Sequence, residues 1–577
     1  MLVIKLNTLE IKNYRNLDGI KLNFDPVINF LVGETNIGKS NLLKLLHTII
    51  NRTSFNENDF SNCKESIEIF LKLTLDDIEI GLFEDLFDPQ ESKTINIIAR
   101  QETIDDNIQF FHQESGANIP PSSVKCLNYI YYDSLRSPAS ELTFDKGKGV
   151  GRFLNHIFNK FLEAEGIEEI DFIDRKGLEK ILKFINENLG KIKSFRDFSV
   201  LANMEKDVHN LLARIVTLKD ENNLDLQNSG YGVQFLSLIC LAILEKLLTI
   251  SRYKSEKGIF EDDDGKKYIS LLLGLDEPEI HLHPYMQRSL IKYLMNIIAN
   301  KDSGFTEVIS DIFSIDRLLG QIIICTHSPN IILSDYKQII RFYKDSESQI
   351  VVKNGQEISF SEGEKKQLLK NMPYVKEAFF SKCVILVEGD TELGAFPVFA
   401  QTLNVDLDDH GISIIQAAGA DSIPLLMKMF KQFGVNTVGL MDRDKYNAKL
   451  EYVEYLYFTV KQDFEEEIVS FCFEKKKINV LKDITRNYDT NGLQRRIQKE
   501  KFSQIIKKYK ISMEDIKEDY DFMIDDINLL YPMFLAWLDI NKSITLGITI
   551  TESLPGELIP PKFKEIIEAA VEVSKNV

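Results

Sequence analysis

Four carboxylates that could do chemistry follow two apolar runs in the second half of the 577-residue chain. Glu388 and Glu392 lie in V-E-G-D-T-E, and Asp442 and Asp444 lie in M-D-R-D. Buried parallel strands have such apolar runs, and open α/β sheets keep their chemistry at the carboxyl ends of strands. Taken singly, strand-end acids more often cap helices and face water. Repelling carboxylates that converge are stable when divalent cations lie between them, and an all-oxygen set favours Mg²⁺ or Mn²⁺.

A second set of chemistry-bearing residues lies near the start of the chain, in G-E-T-N-I-G-K-S at 33–40. A buried-strand pattern precedes it and a helical pattern follows it, which is the setting of a P-loop. In such a loop backbone N–H groups wrap the phosphates, the lysine reaches the β/γ oxygens and the serine hydroxyl binds Mg²⁺. The predicted nucleotide contacts are Gly33, Asn36, Gly38, Lys39, Ser40 and Asn41.

A P-loop needs a second strand that ends in an acid, and the segment L-G-L-D-E-P-E supplies one. We expect Asp276 to hold Mg²⁺ through water and Glu277 to polarise the attacking water. A third strand pattern, I-I-I-C-T-H-S-P, places His327 where it can contact the γ-phosphate. By itself this residue could equally be a core histidine.

These elements, with N-Y-R at 13–15, resemble the ABC-type ATPase heads of the SMC and RecF group. In such heads two copies sandwich the nucleotide, and a signature loop of one contacts the γ-phosphate bound to the other. The candidate loop here is Gln227–Gln234, with Ser229 and Gly230 as contacts, although it departs from L-S-G-G-Q and could be an ordinary helix start. The stretch 150–222 lacks sustained heptads, so a short helical insert that dimerises the heads is expected.

The acidic segments resemble those of the Toprim domain, in which the E-G-x-x-E glutamate and the D-x-D pair hold metal. The order of motifs along the chain resembles that of the overcoming lysogenization defect (OLD) family of ATPase-nucleases. This resemblance implies Glu465 as a further metal ligand, with Asp463 or Glu466 as alternatives. It also implies that Lys542 is the lysine that steadies the scissile phosphate. The plain alternatives are an acidic helix face and a surface lysine.

The predicted fold class is therefore α/β. An ABC-type P-loop ATPase domain at 1–375, with its helical dimerisation insert at about 150–222, precedes a Toprim domain, a Rossmann-like parallel sheet, at 376–577. The Toprim domain carries a helical insert at about 474–538. The family resemblance implies ATP and Mg²⁺ (or Mn²⁺) as cofactors, with two ions at the Toprim site and one with the nucleotide.

The expected function is metal-dependent nicking or double-strand cleavage of duplex DNA, regulated by nucleotide at the ATPase dimer. The family resemblance also suggests a role in defence against bacteriophage. The alternative is an ATP-driven machine that binds DNA ends or structures for repair, with the Toprim domain as a scaffold or partner dock. A primase is not favoured, because the sequence has no zinc-ribbon set of cysteines. A topoisomerase is not favoured either, because no strand-passage domain is recognisable. The family resemblance suggests a homodimer or tetramer, in some cases beside a helicase-like or reverse-transcriptase partner.

The composition of the chain argues against some classes of function. The formal net charge of −19 argues against a protein that coats DNA regardless of sequence, although a local basic groove remains compatible with it. The six cysteines show no C-x-x-C spacing, which is typical of reduced residues in a cytoplasmic protein. A leader and a membrane span are not predicted, so no membrane partner is expected.

Overall fold

The computed structural model describes residues 4–75, 83, 86, 88, 91, 93–133, 150–165, 175–191, 193–195, 198–204, 216–219, 223, 225, 231–253, 258–280, 282–417, 419–489, 496–511, 519–521 and 526–575. The strands within these ranges are β1 Lys5–Lys12, β2 Lys21–Asn23, β3 Ile28–Gly33, β4 Ile67–Thr74, β5 Thr94–Gln101, β6 Gln109–His112, β7 Asn118–Ile119, β8 Tyr129–Tyr132, β9 Lys193–Phe195, β10 Phe198–Ser199, β11 Leu201–Met204, β12 Val216–Lys219, β13 Phe260–Glu261, β14 Lys267–Asp276, β15 Arg317–Cys325, β16 Ile339–Lys344, β17 Ile350–Asn354, β18 Cys383–Val387, β19 Ile412–Gln416, β20 Asn436–Met441, β21 Leu456–Phe458, β22 Arg496–Gln498 and β23 Asp519–Asp521.

The α-helices in the same ranges are α1 Lys39–Asn51, α2 Pro121–Val124, α3 Val150–Glu165, α4 Arg175–Leu189, α5 Tyr231–Tyr253, α6 Pro284–Ile298, α7 Ser303–Phe313, α8 Glu362–Val375, α9 Asp390–Thr402, α10 Ser422–Gln432, α11 Phe464–Glu474, α12 Ile478–Tyr488, α13 Lys499–Lys508, α14 Ile527–Ile540, α15 Ile544–Ser553 and α16 Pro561–Ser574. None of them combines the length and the apolar character that crossing a bilayer requires.

The first of two compact units comprises Met1–Leu333, Lys337–Phe342 and Asn354–Glu357. Its central sheet has five parallel strands in the order β8, β14, β15, β3, β16. Their continuous burial explains the apolar runs in the sequence, because a parallel sheet is covered on both faces. A separate antiparallel sheet has the order β2-β1-β4-β5-β6-β7.

The second unit comprises Ser334–Tyr336, Tyr343–Lys353 and Ile358–Val577, and contains a four-stranded parallel sheet in the order β19-β18-β20-β21. The structure therefore confirms the α/β class and both parallel sheets. The division falls earlier than the predicted 375/376 boundary, because α8 belongs to the second unit. Gln367 on α8 donates to Ser422 Oγ at 3.1 Å, and Lys428 of α10 pairs with Glu364 at 2.7 Å.

The predicted inserts are only partly described. Within 150–222, helices α3 and α4 are followed by the short antiparallel pairs β9–β10 and β11–β12, so the described part is mixed rather than wholly helical. Within 474–538, helices predominate and one small pair, β22–β23, accompanies them. All six cysteines are free thiols, and only Cys63 is exposed.

Candidate functional site

The P-loop lies where the sequence predicts it, between β3 and α1. Gly33 has a φ of 127°, Gly38 one of 103° and Asn36 one of 61°, all in the region that favours glycine or asparagine. A Cβ at Gly33 would overlap the carbonyl oxygen of Phe342 on the neighbouring strand and lie 3.0 Å from its carbonyl carbon. The loop can therefore leave the sheet and curve around phosphates only with these residue types.

The serine and aspartate predicted to hold Mg²⁺ are in direct contact. Ser40 Oγ donates to Asp276 Oδ1 at 2.8 Å, and burial raises the pKa of this aspartate. The hydroxyl and carboxylate oxygens form a donor set suited to the Mg²⁺ of a bound nucleotide. Lys39 donates to the carbonyl oxygens of Gly33, at 2.9 Å, and of Glu34. Burial is the main cause of its lowered pKa.

The predicted catalytic pair of the ATPase site also comes together. Glu277 Oε1 lies 3.4 Å from His327 Nε2. Burial is the first cause that lowers the pKa of His327, and the nearby Lys39 charge lowers it further, so the neutral imidazole is favoured. The positive φ of 48° at Glu277 shows that this residue leaves β14 through a tight turn.

Sequence reasoning missed the residue that fixes this histidine. Glu279 Oε1 accepts hydrogen bonds from Thr326 Oγ1 at 2.7 Å and from the backbone N–H of His327 at 2.6 Å. It thereby joins the turn after β14 to the end of β15. In the sequence, the second glutamate of D-E-P-E was the feature that could have pointed to this residue.

The remaining ATPase predictions have different outcomes. Asn41 Oδ1 accepts from Arg15 Nη1 at 2.7 Å, so in this structure it links α1 to the N-Y-R segment. The signature contacts Ser229 and Gly230 lie outside the described residues, which resume at Tyr231 with α5.

In the second unit, the parallel register brings two of the predicted acids to one edge of the sheet. Strand β18 ends immediately before Glu388 and its neighbour β20 ends immediately before Asp442. Glu392 lies in the first turn of α9 and is 6% exposed. A Cβ at Gly389 would lie 2.9 Å from the Glu392 carboxylate, so glycine leaves the room that this side chain occupies.

A third element completes the acidic group. Glu465, on α11, is 1% exposed, and its carboxylate pairs with Lys542 Nζ at 2.7 Å. The backbone N–H of Phe464 donates to Asp442 Oδ1 at 3.2 Å, which ties the start of α11 to the D-x-D segment. Asp444 is the most exposed of the predicted acids and lies 3.5 Å from Lys445 Nζ.

The structure chooses between the three acids that the sequence left open near 465. Asp463 caps α11 by accepting from the N–H of Glu466, and its other oxygen accepts from Lys508 Nζ at 2.7 Å and Tyr509 Oη at 2.6 Å. Glu466 accepts from the N–H of Gln462 and from Tyr531. Of these three acids, Glu465 is the one whose carboxylate pairs with Lys542. The contribution of α13 through Lys508 could not be read from the sequence.

Two glycines bring the C-terminal lysine to the acids. A Cβ at Gly394 of α9 would overlap the carbonyl oxygen of Ile544, and one at Gly547 of α15 would overlap that of Thr391. Helices α9 and α15 can therefore approach backbone to backbone, which places Lys542, just before α15, beside the acids of α9 and α11. In the sequence, an isolated glycine in each of the two helical patterns was the feature that could have predicted this close approach.

The carboxylates raise one another's pKa values. Burial, followed by the charge of Glu392, raises the pKa of Asp442 to about 9. Burial also raises the pKa of Glu392, and the charge of Glu465 adds to this rise. The pKa of Glu388 is raised mainly by burial. Neighbouring acids without a cation have this behaviour, because each charge disfavours the next.

The donor set fits a divalent cation, although the side chains are not arranged around one. Glu388 Oε2 is buried and has no hydrogen-bond partner, and all the candidate ligands are carboxylate oxygens, as Mg²⁺ and Mn²⁺ prefer. Within the described residues, no three histidine, cysteine or acidic side chains form a group that could hold a metal ion as they stand.

Comparison with known proteins identifies both units. The model of an AAA ATPase domain matches residues 4–145 and 87–332, and that of an overcoming lysogenization defect protein-like TOPRIM domain matches residues 379–444. The OLD nuclease of Thermus scotoductus is 24% identical over 481 residues, which cover 76% of this chain and 82% of that protein.

Two further relatives are similar to this chain over different shares of its length. The Old nuclease of Escherichia phage P2 is 23% identical over 77% of this chain and 78% of its own length. Endonuclease GajA of Bacillus cereus is 24% identical over 42% of this chain and 35% of its own.

Proposed function

Because the chain belongs to the OLD family, which joins an AAA ATPase domain to a TOPRIM domain, we propose that it is an ATP-regulated, metal-dependent DNA endonuclease. The two domains imply the use of a nucleotide and a divalent metal ion. One observation carries the proposal. Three acids from separate elements, Glu388, Asp442 and Glu465, lie near Lys542; burial raises the pKa of all three, and the charges of Glu388 and Glu465 add to the rise at Asp442.

The proposed roles at the nuclease site follow from these positions. Glu388, Asp442 and Asp444 would hold one ion, and Glu392 and Glu465 a second. Two ions at such a site supply an activated water and stabilise the leaving 3′ oxygen. Lys542 is fixed by Glu465, yet its side chain is 41% exposed, so its ammonium group can also donate to a phosphate oxygen and offset transition-state charge.

At the ATPase site, Ser40 and Asp276 would hold the Mg²⁺ that accompanies ATP. Lys39 would exchange the carbonyl oxygens of its own loop for phosphate oxygens, which restores the charge that burial disfavours. Glu277 orients the attacking water, and the neutral His327 beside it can hydrogen-bond to the γ-phosphate. Nucleotide occupancy, through a dimer of these domains, would then govern DNA cleavage.

The test uses purified protein on supercoiled plasmid and linear duplex with Mg²⁺ or Mn²⁺ across an ATP titration. Glu388→Ala should abolish cleavage and leave ATP hydrolysis intact, whereas Glu568→Ala, which removes an exposed acid of the same unit, should leave both intact. Lys39→Ala then shows whether nucleotide activates or restrains cutting. A wild-type protein that hydrolyses ATP and cuts neither substrate would favour the DNA-binding repair machine.

The proposed biological role is defence against bacteriophage. Cells that express the wild-type protein should restrict phage plating, and cells that express Glu388→Ala should not. Equal restriction by both would separate any defence role from the nuclease site. Light scattering with and without ATP measures the proposed dimer or tetramer.

A further inference from the structure

An exposed aromatic segment directly follows the D-x-D acids. Among the described residues, five tyrosines are exposed, and three of them, Tyr446, Tyr452 and Tyr455, lie within this short stretch. Tyr452 is 89% exposed, which is the highest value of the five. Exposed aromatic rings are able to contact a partner, and Tyr452 is the most open of them.

Cations lie around the first of these rings, Tyr446. The stretch 443–455 contains three cations, Arg443, Lys445 and Lys449, and three acids, Asp444, Glu451 and Glu454; all three cations lie in its exposed first part, 443–449, together with one acid. The Arg443 guanidinium lies 4.3 Å from the centroid of Tyr446. In a chain whose net charge is −19, the first part of this stretch is locally positive, and with the tyrosines that follow it is suited to a polyanion that also presents flat apolar faces.

The segment is continuous with the candidate nuclease site. Tyr446 is four residues beyond Asp442, so their Cα atoms lie no more than about 14 Å apart. Successive phosphates on one DNA strand are about 3.4 Å apart along the helix axis. A strand held at the carboxylates would therefore bring its bases within about four positions of this ring.

We propose that residues 443–455, the aromatic segment, bind unpaired bases of the DNA substrate beside the cleavage site. Tyr452 and Tyr446 would stack on bases, and Lys445 and Lys449 would contact the backbone. Bases in an intact duplex are stacked on each other and cannot offer a face to an exposed ring, whereas every unpaired base can. The substrate class is thus DNA with a single-stranded region, such as a fork or a flap. This inference rests on the proposed nuclease function.

Binding without cleavage tests the inference. We would measure fluorescence anisotropy in EDTA for a forked DNA and for a fully paired duplex of the same sequence, with 2-aminopurine in the unpaired arm as a stacking probe. Tyr452→Ala should weaken fork binding by between about 5-fold and 100-fold and abolish 2-aminopurine quenching, whereas duplex binding should not change. Tyr452→Phe should retain both, because the ring remains. Tyr374→Ala, which removes a 72% exposed tyrosine from α8, is the matched control and should behave as the wild type.

Several results would overturn the inference. These are equal wild-type affinity for fork and duplex, an unchanged fork affinity in Tyr452→Ala, an equal loss in Tyr374→Ala, or tighter binding to single-stranded RNA of the same sequence. The outcomes also separate the two proposals. A protein that cleaves DNA without preferring the fork refutes the aromatic segment alone. A protein that binds the fork through Tyr452 and cuts no DNA refutes the nuclease alone, and one that binds no DNA refutes both.

Discussion

The approach of helices α9 and α15 allows a quantitative prediction for Gly394→Ala. The added methyl would overlap the carbonyl oxygen of Ile544 and lie 2.9 Å from its carbonyl carbon. Carbon atoms prefer a separation of about 3.5–4.0 Å, so the two backbones must move apart by about 1 Å. Lys542 lies two residues before this contact, and Glu392 lies two residues before Gly394. The displacement therefore changes the position of the lysine relative to the acids.

We expect Gly394→Ala to lower DNA cleavage about 100-fold, which is the usual cost of a 1 Å error at a reacting centre. Overpacking should also lower the free energy of unfolding of the second unit by about 1–3 kcal/mol. Cleavage kinetics and differential scanning calorimetry measure the two effects, and ATP hydrolysis by the first unit verifies that the chain has folded.

The matched control is Gly363→Ala, on the exposed start of α8, where a Cβ meets no atom within 4 Å. It should leave cleavage and stability unchanged. Full cleavage by Gly394→Ala, or an equal loss in Gly363→Ala, would refute the reasoning that close helix packing positions Lys542.

Three further predictions concern single side chains. Glu279→Ala removes the acceptor that fixes His327, so kcat for ATP hydrolysis should fall roughly ten-fold with little change in nucleotide affinity. A change in the nucleotide Kd with an unchanged kcat would contradict this role. Asp442→Asn removes a half-buried carboxylate that its neighbours repel, so the metal-free Tm should rise while the Tm increase on adding Mn²⁺ is lost. A retained Mn²⁺ response would exclude Asp442 as a ligand. Lys508→Met leaves Asp463 Oδ2 with only Tyr509 of its two donors, which should lower the free energy of unfolding in urea by about 1–3 kcal/mol. Lys508→Arg should recover most of this loss, and an unchanged unfolding midpoint in Lys508→Met would contradict the pairing.

Local sequence signals were sufficient for the strands and for the residues at their ends. The apolar runs before Gly33, Asp276 and Glu388 predict buried parallel strands, and each such strand is present. A residue at the carboxyl end of such a strand is exposed to the crevice where ligands bind, so residue type and position together predict its chemistry. The P-loop glycines could also be predicted from local sequence, because a positive φ is a local property of the chain.

Local sequence patterns predicted the structure less well where the chain alternates between short helices and strands. The boundary at 375/376 was predicted at the end of a charged helix that leads into the strand before Glu388, whereas this helix, α8, joins the second unit through contacts with α10. The stretch after 189 has the charge and apolar content of a helix, yet its described residues include two short antiparallel strand pairs. Tertiary contacts override weak propensity in such segments.

By itself, the sequence determined which residues could bind nucleotide and metal, because the P-loop, D-E-P-E and D-x-D segments depend on neighbours in the chain. Only the tertiary structure decided which acid near 465 faces the site, since Asp463 is occupied by Lys508 and Tyr509, which lie 45 and 46 residues further along the chain. It also decided that Lys542 meets Glu465, because that contact needs two glycine-bearing helices to approach across the fold. Spacing along a chain specifies local geometry, whereas contacts between distant elements depend on how side-chain volumes fit together, and no motif records that fit.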